Sequence, residues 1–271
     1  MKFWHDNTLY RENPQGIFNE KRSRNALVFG AFAILYFLGS RLIGFDFWLI
    51  FERLSSALSR FAGLYFPPNF TNYKDLFEGI WVTIVLSVAA GTIGSALAYA
   101  TALGMSRRTG RLPVIKILLR SVATFLRNVP AAIWAIVLLM AFWFGEFLAL
   151  LVMSIGTFGF NARLFSDMID ETNHGSIEAL ESTGATYWQI IFQSVFPETL
   201  PVAISWTLYA IETNIRSATI IGILAGGGIG HLIGIYKHFR RFDELTAAVI
   251  LVVVTITAFD QLSIQIRKRL L

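Results

Sequence analysis

The chain contains no cysteine, which removes disulfides and thiolate metal sites from consideration and leaves thiol redox chemistry without a foothold. Its four histidines, His5, His174, His231 and His238, stand at no metal-ligand spacing, and no serine, histidine and acid cluster assembles from neighbouring motifs. There is no Gly-Lys-Ser/Thr run, so a Walker A phosphate loop is excluded and hydrolysis of ATP by that route with it. Charge is also scarce. Only 15% of the 271 residues are Asp, Glu, Lys or Arg, against 55% hydrophobic residues that include 24 Phe and seven Trp. That balance is too apolar for an ordinary soluble domain and places the chain in a bilayer. The net charge of +5 gathers at the edges of apolar segments rather than along one soluble face, which points to membrane orientation and not to nucleic acid.

About twenty apolar residues cross the roughly 30 Å of hydrocarbon as a helix, and the sequence supplies six such stretches. They run over about 25–44, 79–105, 113–145, 147–166, 198–224 and 245–264. The first is interrupted late by Arg41, whose long side chain can reach the headgroups. Residues 46–76 alternate Asp46, Glu52, Arg53 and Arg60 with Trp48, Phe51, Leu54 and Phe61 before breaking at Pro67-Pro68, the pattern of an interfacial segment and a loop. The second span carries Gly91, Gly94, Ser95 and Ala98 at helix-packing spacing. In the third, Pro113 suits an early helical position and Pro130 predicts a kink. The fifth ends in Ala225-Gly226-Gly227-Gly228-Ile229-Gly230, and residues 225–244 read as an external segment.

The expected organisation is therefore a cytoplasmic N-terminal segment (1–24) without a cleaved signal peptide, a first span with its external segment (25–76), a permease-like core (77–264) and a basic tail (265–271). With both termini cytoplasmic, the inside segments hold eleven Lys or Arg against six outside, as the positive-inside rule requires.

Between the fourth and fifth spans lies a polar island without lysine or arginine. Ser176 is placed to cap a short helix, Glu178 lies near its positive end, and Gly184 permits a sharp turn. From 185 to 196, Trp188, Ile191, Phe192 and Val195 recur at three- and four-residue spacing, an amphipathic helix. Two short helices about a glycine hinge, running into the next span at Pro197, make a rigid projection able to transmit motion. A solvated connection is the simpler alternative.

Charges inside the spans are costly and mark functional candidates. Glu212 and Arg216 lie four apart in the favourable order for a pair. Arg127 and Glu212 each lie fourteen residues into their spans from Pro113 and Glu198, so they stand at one depth. This predicts that Glu212 pairs with Arg127 or Arg216. Lys116, Arg120 and Arg127 share a helix face, and with Arg163 they give the bundle interior an excess of positive charge that suits an anion pathway. Pairs that only fix packing are the structural alternative.

Glu178, Ala179, Gly184 and Pro197 stand at the spacing of the EAA loop, and this segment (170–197) resembles that of ATP-binding-cassette importer permeases, departing from the common pattern at Leu180, Ser194 and Phe196. The run from Glu212 to Ala218 into Gly222 and the glycines 226–230 is similar to the phosphonate-importer permeases. So are Arg127-Asn128-Val129-Pro130 with Trp134-Ala135, Gly159 with Arg163-Leu164-Phe165, and Asp260 to Ser263 with Arg267. The resemblance covers about 77–271.

It implies an all-α, type I importer permease fold (MetI-like) of about six transmembrane helices with an additional N-terminal helix. It also implies a pore-forming subunit of the inner or plasma membrane that is not itself an enzyme. The implied partners are a second copy of the chain, two cytoplasmic ATPase subunits that bind ATP and Mg, a periplasmic or lipid-anchored solute-binding protein, lipid, and a small oxyanion such as phosphonate, phosphite or phosphate. Glu178, Ala179, Glu181, Gly184 and Pro197 would engage the ATPase. Arg127, Arg163, Glu212, Asn214 and Arg216 would line the pathway or gate, and Gly226, Gly227, Gly228 and Gly230 would give an outer gate its mobility. Lys237, Arg240 and Arg241 fall on the external docking side. The alternatives are a related importer for another substrate such as methionine, or a proton-coupled carrier using Glu212 as relay, against which no inverted repeat of spans is visible.

Overall fold

A computed structural model describes residues 14–44, 47–172 and 174–270, so most of the N-terminal segment 1–24, including His5, lies outside the described residues. Every regular element among the described residues is helical. The chain divides into two compact units, Met1–Ala62 and Gly63–Leu271.

The first unit holds α1 (Pro14–Ile43), which begins well before the predicted span, and most of α2 (Phe47–Tyr65). In α2 the residues Trp48, Phe51, Leu54, Leu58 and Phe61 recur every three or four positions, while Glu52, Arg53, Ser56 and Arg60 fall on the other side. The interfacial segment expected over 46–76 is thus an amphipathic helix followed by a loop.

The second unit is a helix bundle around α3 (Tyr73–Met105), whose 33 residues extend about 50 Å at 1.5 Å per residue. Three buried clusters stack along it. Leu76 and Ile80 pack with Ile229, Ile233, Ala247 and Ala248 at one end. Ala90 meets Leu148, Val152, Ala218 and Ile221 in the middle. Ala98, Ala102 and Met105 meet Phe165, Ile169, Ile191 and Val195 at the other end. Small residues set the distances, because helices in lipid associate by close packing rather than by escape from water. A methyl group on Gly91 would lie 2.4 Å from Ile211 Cγ1, and one on Gly94 2.8 Å from the Ser154 carbonyl oxygen.

The expected third span is two helices, α4 (Pro113–Asn128) and α5 (Ala131–Phe142), which meet at 98°. Pro130 removes a backbone donor and drives Val129 into an extended conformation, so the kink read at Pro130 is a full break. α6 (Glu146–Asp170) begins at Glu146 and packs along α3. The fifth span is α9 (Phe196–Ala225), joined at 52° to α10 (Gly228–His238) through Gly226 and Gly227. Residues 225–244 are therefore not simply an exposed external segment. Ile229, Gly230, Ile233 and Tyr236 of α10 are buried against α3 and α11 (Phe242–Leu270). Among the described residues four helices are long and apolar enough to cross a membrane, and up to six spans result if each bent pair counts as one.

Candidate functional site

Three groups of side chains lie along α6 and α9, and the first is the projection after α6. It consists of α7 (His174–Ser182), a turn at Gly184 with φ 77°, α8 (Tyr187–Ile190) and a π-helical turn (Ile191–Val195) that runs without interruption into α9. The positive φ explains glycine at 184, since a side chain there is strained although space surrounds it. Thr186 caps α8 in a reciprocal arrangement with Gln189, whose side chain accepts the Thr186 backbone N–H at 2.7 Å. The π turn sits immediately before Pro197 and Pro201, which donate no hydrogen bonds, so the ladder is re-registered where it would break anyway.

Ser176 is not a cap. It is the third residue of α7, and its hydroxyl lies 3.0 Å from that of Ser194 in the π turn, tying the two arms together. The amphipathic spacing also divides. Ile191 and Val195 are buried, whereas Trp188 and Phe192, 61% and 62% exposed as residues, stack on each other at 6.1 Å. Glu178, Ala179, Glu181, Gly184 and Pro197 are all exposed.

The basic loop 106–112 is bound to the end of α6 and, through Arg111, to this projection, a relation sequence spacing does not reveal. The Asp170 carboxylate accepts the Ser106 hydroxyl at 2.6 Å and the Arg107 amide at 2.7 Å, with Arg120 3.7 Å away. Arg108 donates to the Thr172 carbonyl oxygen, and Arg111 lies over the Tyr187 ring at 4.4 Å.

The second group is a charge network between α9 and α11. Glu212, 8% exposed, accepts Arg216 on one oxygen and Arg267 on the other at 3.1 Å. Arg216 also reaches Asp260 at 3.0 Å. On α11 the residues Asp260, Ser263 and Arg267 face α9 at three- and four-residue steps.

The third group surrounds a cavity of about 340 Å³ bounded by the α4–α5 break, α6 and α9. Arg127 stands at its edge with the guanidinium 5.1 Å from the Phe160 ring centre, a cation–π distance. Gly159 makes this possible, because a Cβ there would lie 2.8 Å from the Arg127 backbone nitrogen. From α9 come Ala210, Thr213, Asn214, Ser217 and Ile221, one helical face at steps of three and four. Asn214 donates to Thr157 Oγ1 at 2.9 Å, and one turn further along α6 Asn161 donates to Ser95 Oγ at 2.7 Å. These buried amides lock α6 to α9 and to α3.

The residues expected in one pathway thus fall on different surfaces. Glu212 pairs with Arg216 as expected but not with Arg127, because residues 212 and 214 point about 200° apart on a helix and Arg127 belongs to the Asn214 side. Arg163 is exposed on the surface of the chain and not inside the bundle, and Arg120 lies near Asp167 and Asp170. Arg127 is likewise exposed and stands only at the cavity edge, and Lys116 lies against Gly110, so the excess of positive charge predicted inside the bundle is not found there. Asp260 and Arg267 complete the Glu212 network, and their spacing on α11 was the available signal.

The glycines around the α9–α10 junction are tightly packed. A Cβ on Gly222 or Gly230 would lie 2.9 Å or less from facing backbone atoms of the other helix or the junction, and one on Gly226 would lie 2.7 Å from the Phe144 ring.

Comparison with known proteins agrees with this arrangement. Residues 94–270 match the family model described as binding-protein-dependent transport system inner membrane component. The phosphate-import permease protein PhnE of Mycolicibacterium smegmatis is 33% identical over 205 residues, 75% of this chain and 38% of that protein, so the chain spans well under half of its length. The phosphite transport system permease protein PtxC of Stutzerimonas stutzeri is 26% identical, covering 78% of this chain and 77% of its own. A putative cryptic phosphonate transport system permease protein, PhnE2 of Escherichia coli, is 34% identical over 44% of this chain and 98% of its own. Among solved structures, the membrane chain of an inward-facing MetNI methionine ABC transporter is similar in fold with TM-score 0.66 at 18% identity, covering 75% of this chain and 99% of that one. An amino acid ABC transporter gives TM-score 0.62 at 18% identity, covering 74% and 96%.

Proposed function

The chain belongs to the family of binding-protein-dependent transport system inner membrane components, the multi-pass permease subunits of ABC importers, and from that premise we propose that its cargo is phosphonate or a related small oxyanion. The names of the relatives, which transport phosphate and phosphite, support the cargo. The observation that carries the mechanism is the exposed α7–turn–α8 projection continuous with α9.

In this reading two copies of the chain form the pathway, with both termini cytoplasmic. Two ATPase subunits, which hold the ATP and Mg, grip the projection through Glu178, Ala179, Glu181, Gly184 and Pro197. A solute-binding protein delivers cargo from outside. Because α8 passes into α9 without a break, a displacement of the projection reaches Asn214 on one face of α9 and Glu212 and Arg216 on the other. Arg127 and Asn214 line the pathway. Arg163, exposed on the single chain, faces the second copy or the pathway between copies. The glycines 226, 227, 228 and 230 let the α9–α10 junction hinge as the outer gate.

The test is ATP-dependent uptake of labelled phosphite and methylphosphonate by the assembly reconstituted in liposomes with its ATPase and binding protein. Accumulation that requires hydrolysis is expected. Uptake that persists with a hydrolysis-dead ATPase overturns the mechanism, and an active assembly that accumulates neither anion overturns the cargo.

A further inference from the structure

We propose that the contact between Arg111 and Tyr187 is a second coupling link, through which a displacement of the projection moves α4 together with α9. The inference rests on the ATPase-driven projection proposed above and adds Arg111 and Tyr187 to it as positioning residues.

Tyr187 opens α8 and is joined to two parts of the bundle. Its backbone continues through the π turn into α9. Its side chain reaches the end of α3, where it packs against the buried cluster that includes Ala102 and Met105. The Arg111 guanidinium lies 4.4 Å from the ring centre, the shortest of the four cation–π contacts among the described residues and well within the range of attraction.

The loop that carries Arg111 has little slack to absorb a pull. Ser106 and Arg107 are held by Asp170, and Arg108 by the Thr172 carbonyl oxygen. The Thr109 hydroxyl donates to the Leu103 carbonyl oxygen at 2.6 Å, and a Cβ on Gly110 would lie 2.5 Å from that of Gly104, so the loop folds back on the last turn of α3. Leu112 is extended, and α4 starts directly after it at Pro113, whose ring fixes φ. The 16 residues of α4 extend about 24 Å and finish beside Arg127. A helix carries an axial shift, or a turn about its axis, to its far end. At that end the 98° break at Pro130 lets α4 move without α5.

Two routes therefore leave Tyr187, and both arrive at the same cavity. α9 brings Thr213, Asn214 and Ser217 to it, and α4 brings Leu126 and Arg127. With the side-chain link intact, both walls are displaced when the projection is. Without it, α9 moves past an α4 that stays behind.

The chain has no cysteine, so a single introduced one per copy takes one spin label. Gln193→Cys reports the projection and Asn128→Cys the far end of α4, both exposed positions. Pulsed dipolar spectroscopy on the assembly with its ATPase and binding protein in nanodiscs gives the distance between copies, without nucleotide and with ATP and vanadate. Both distances are expected to change in the otherwise unaltered chain. Tyr187→Leu and Arg111→Gln are each expected to keep the change at 193 and to remove most of the change at 128. In both, uptake of labelled phosphite or methylphosphonate per ATP hydrolysed should fall about fivefold or more, the lower end of ordinary coupling between sites. Tyr187→Phe, which keeps the ring, should behave as the unaltered chain. Arg111 is exposed, so Arg111→Gln should keep the wild-type melting temperature, which separates lost coupling from misfolding. A full change at 128 in both variants, or a distance at 128 that never changes while the one at 193 does, overturns the proposal and leaves the projection's role standing. A distance at 193 that never changes overturns both.

Discussion

Arg267 and Glu212, 55 residues apart in sequence, meet in the bundle: Arg267 Nη2 donates to Glu212 Oε2 at 3.1 Å while Arg216 holds the other oxygen. The contact joins the helix that descends from the projection to the last helix of the chain. Sequence spacing shows the Arg216 partner because it lies one turn away, whereas the Arg267 partner depends on how α11 packs.

Removing Arg267 should therefore weaken the docking of α11 on α9. Arg267→Met is expected to lower stability by about 1–3 kcal/mol, the range for a charge-assisted hydrogen bond whose buried acceptor is left short of a donor. Thermal unfolding in detergent of Arg267→Met, Glu212→Gln and the double variant checks it. Strictly additive losses would show that the two side chains do not interact.

Gly91 is expected to tolerate no side chain. Gly91→Ala places a methyl group 2.4 Å from Ile211 Cγ1, and overpacking of this kind costs about 1–3 kcal/mol. Ile211→Ala in the same chain should recover part of the loss by removing the opposing group. The melting temperatures of the two single variants and the double variant give the answer, and a double variant no better than Gly91→Ala refutes the account.

At Gly184 the requirement is conformational and not steric, since φ is 77° and the surroundings are open. Gly184→Ala should cost about 1–2 kcal/mol locally and loosen the turn, while Gly184→Asn, which visits this region more readily, should behave nearly as the wild type. Limited proteolysis between Ser182 and Tyr187 reports the turn directly. Equal cleavage of the Ala and Asn variants would count against a backbone cause.

Asp170 holds the start of the basic loop through the Ser106 hydroxyl and the Arg107 amide. Asp170→Ala frees that amide, so its hydrogen exchange should accelerate by about tenfold or more, while amides in the middle of α3 keep their protection. Mass-spectrometric exchange over residues 104–112 measures it. Unchanged exchange there would mean the loop is held by Arg108 and Arg111 instead.

The sequence by itself determined the membrane class, a distortion at Pro130 and the turn at Gly184, because each follows from local chemistry: hydrocarbon length, a missing backbone donor, a positive φ; that the distortion is a full break of the third span is visible only in the structure. It also showed Glu212 with Arg216, neighbours on one helix. Tertiary structure alone decided that Arg127 joins Asn214 at a cavity and not Glu212, that Arg267 completes the Glu212 network, and that 228–238 is a buried helix rather than an exposed segment. These outcomes depend on which face of α9 meets α6 and which meets α11, and on how closely Gly159 and Gly91 let the helices approach. Helical periodicity fixes which residues share a face, but the partner each face receives is set only when the whole bundle packs.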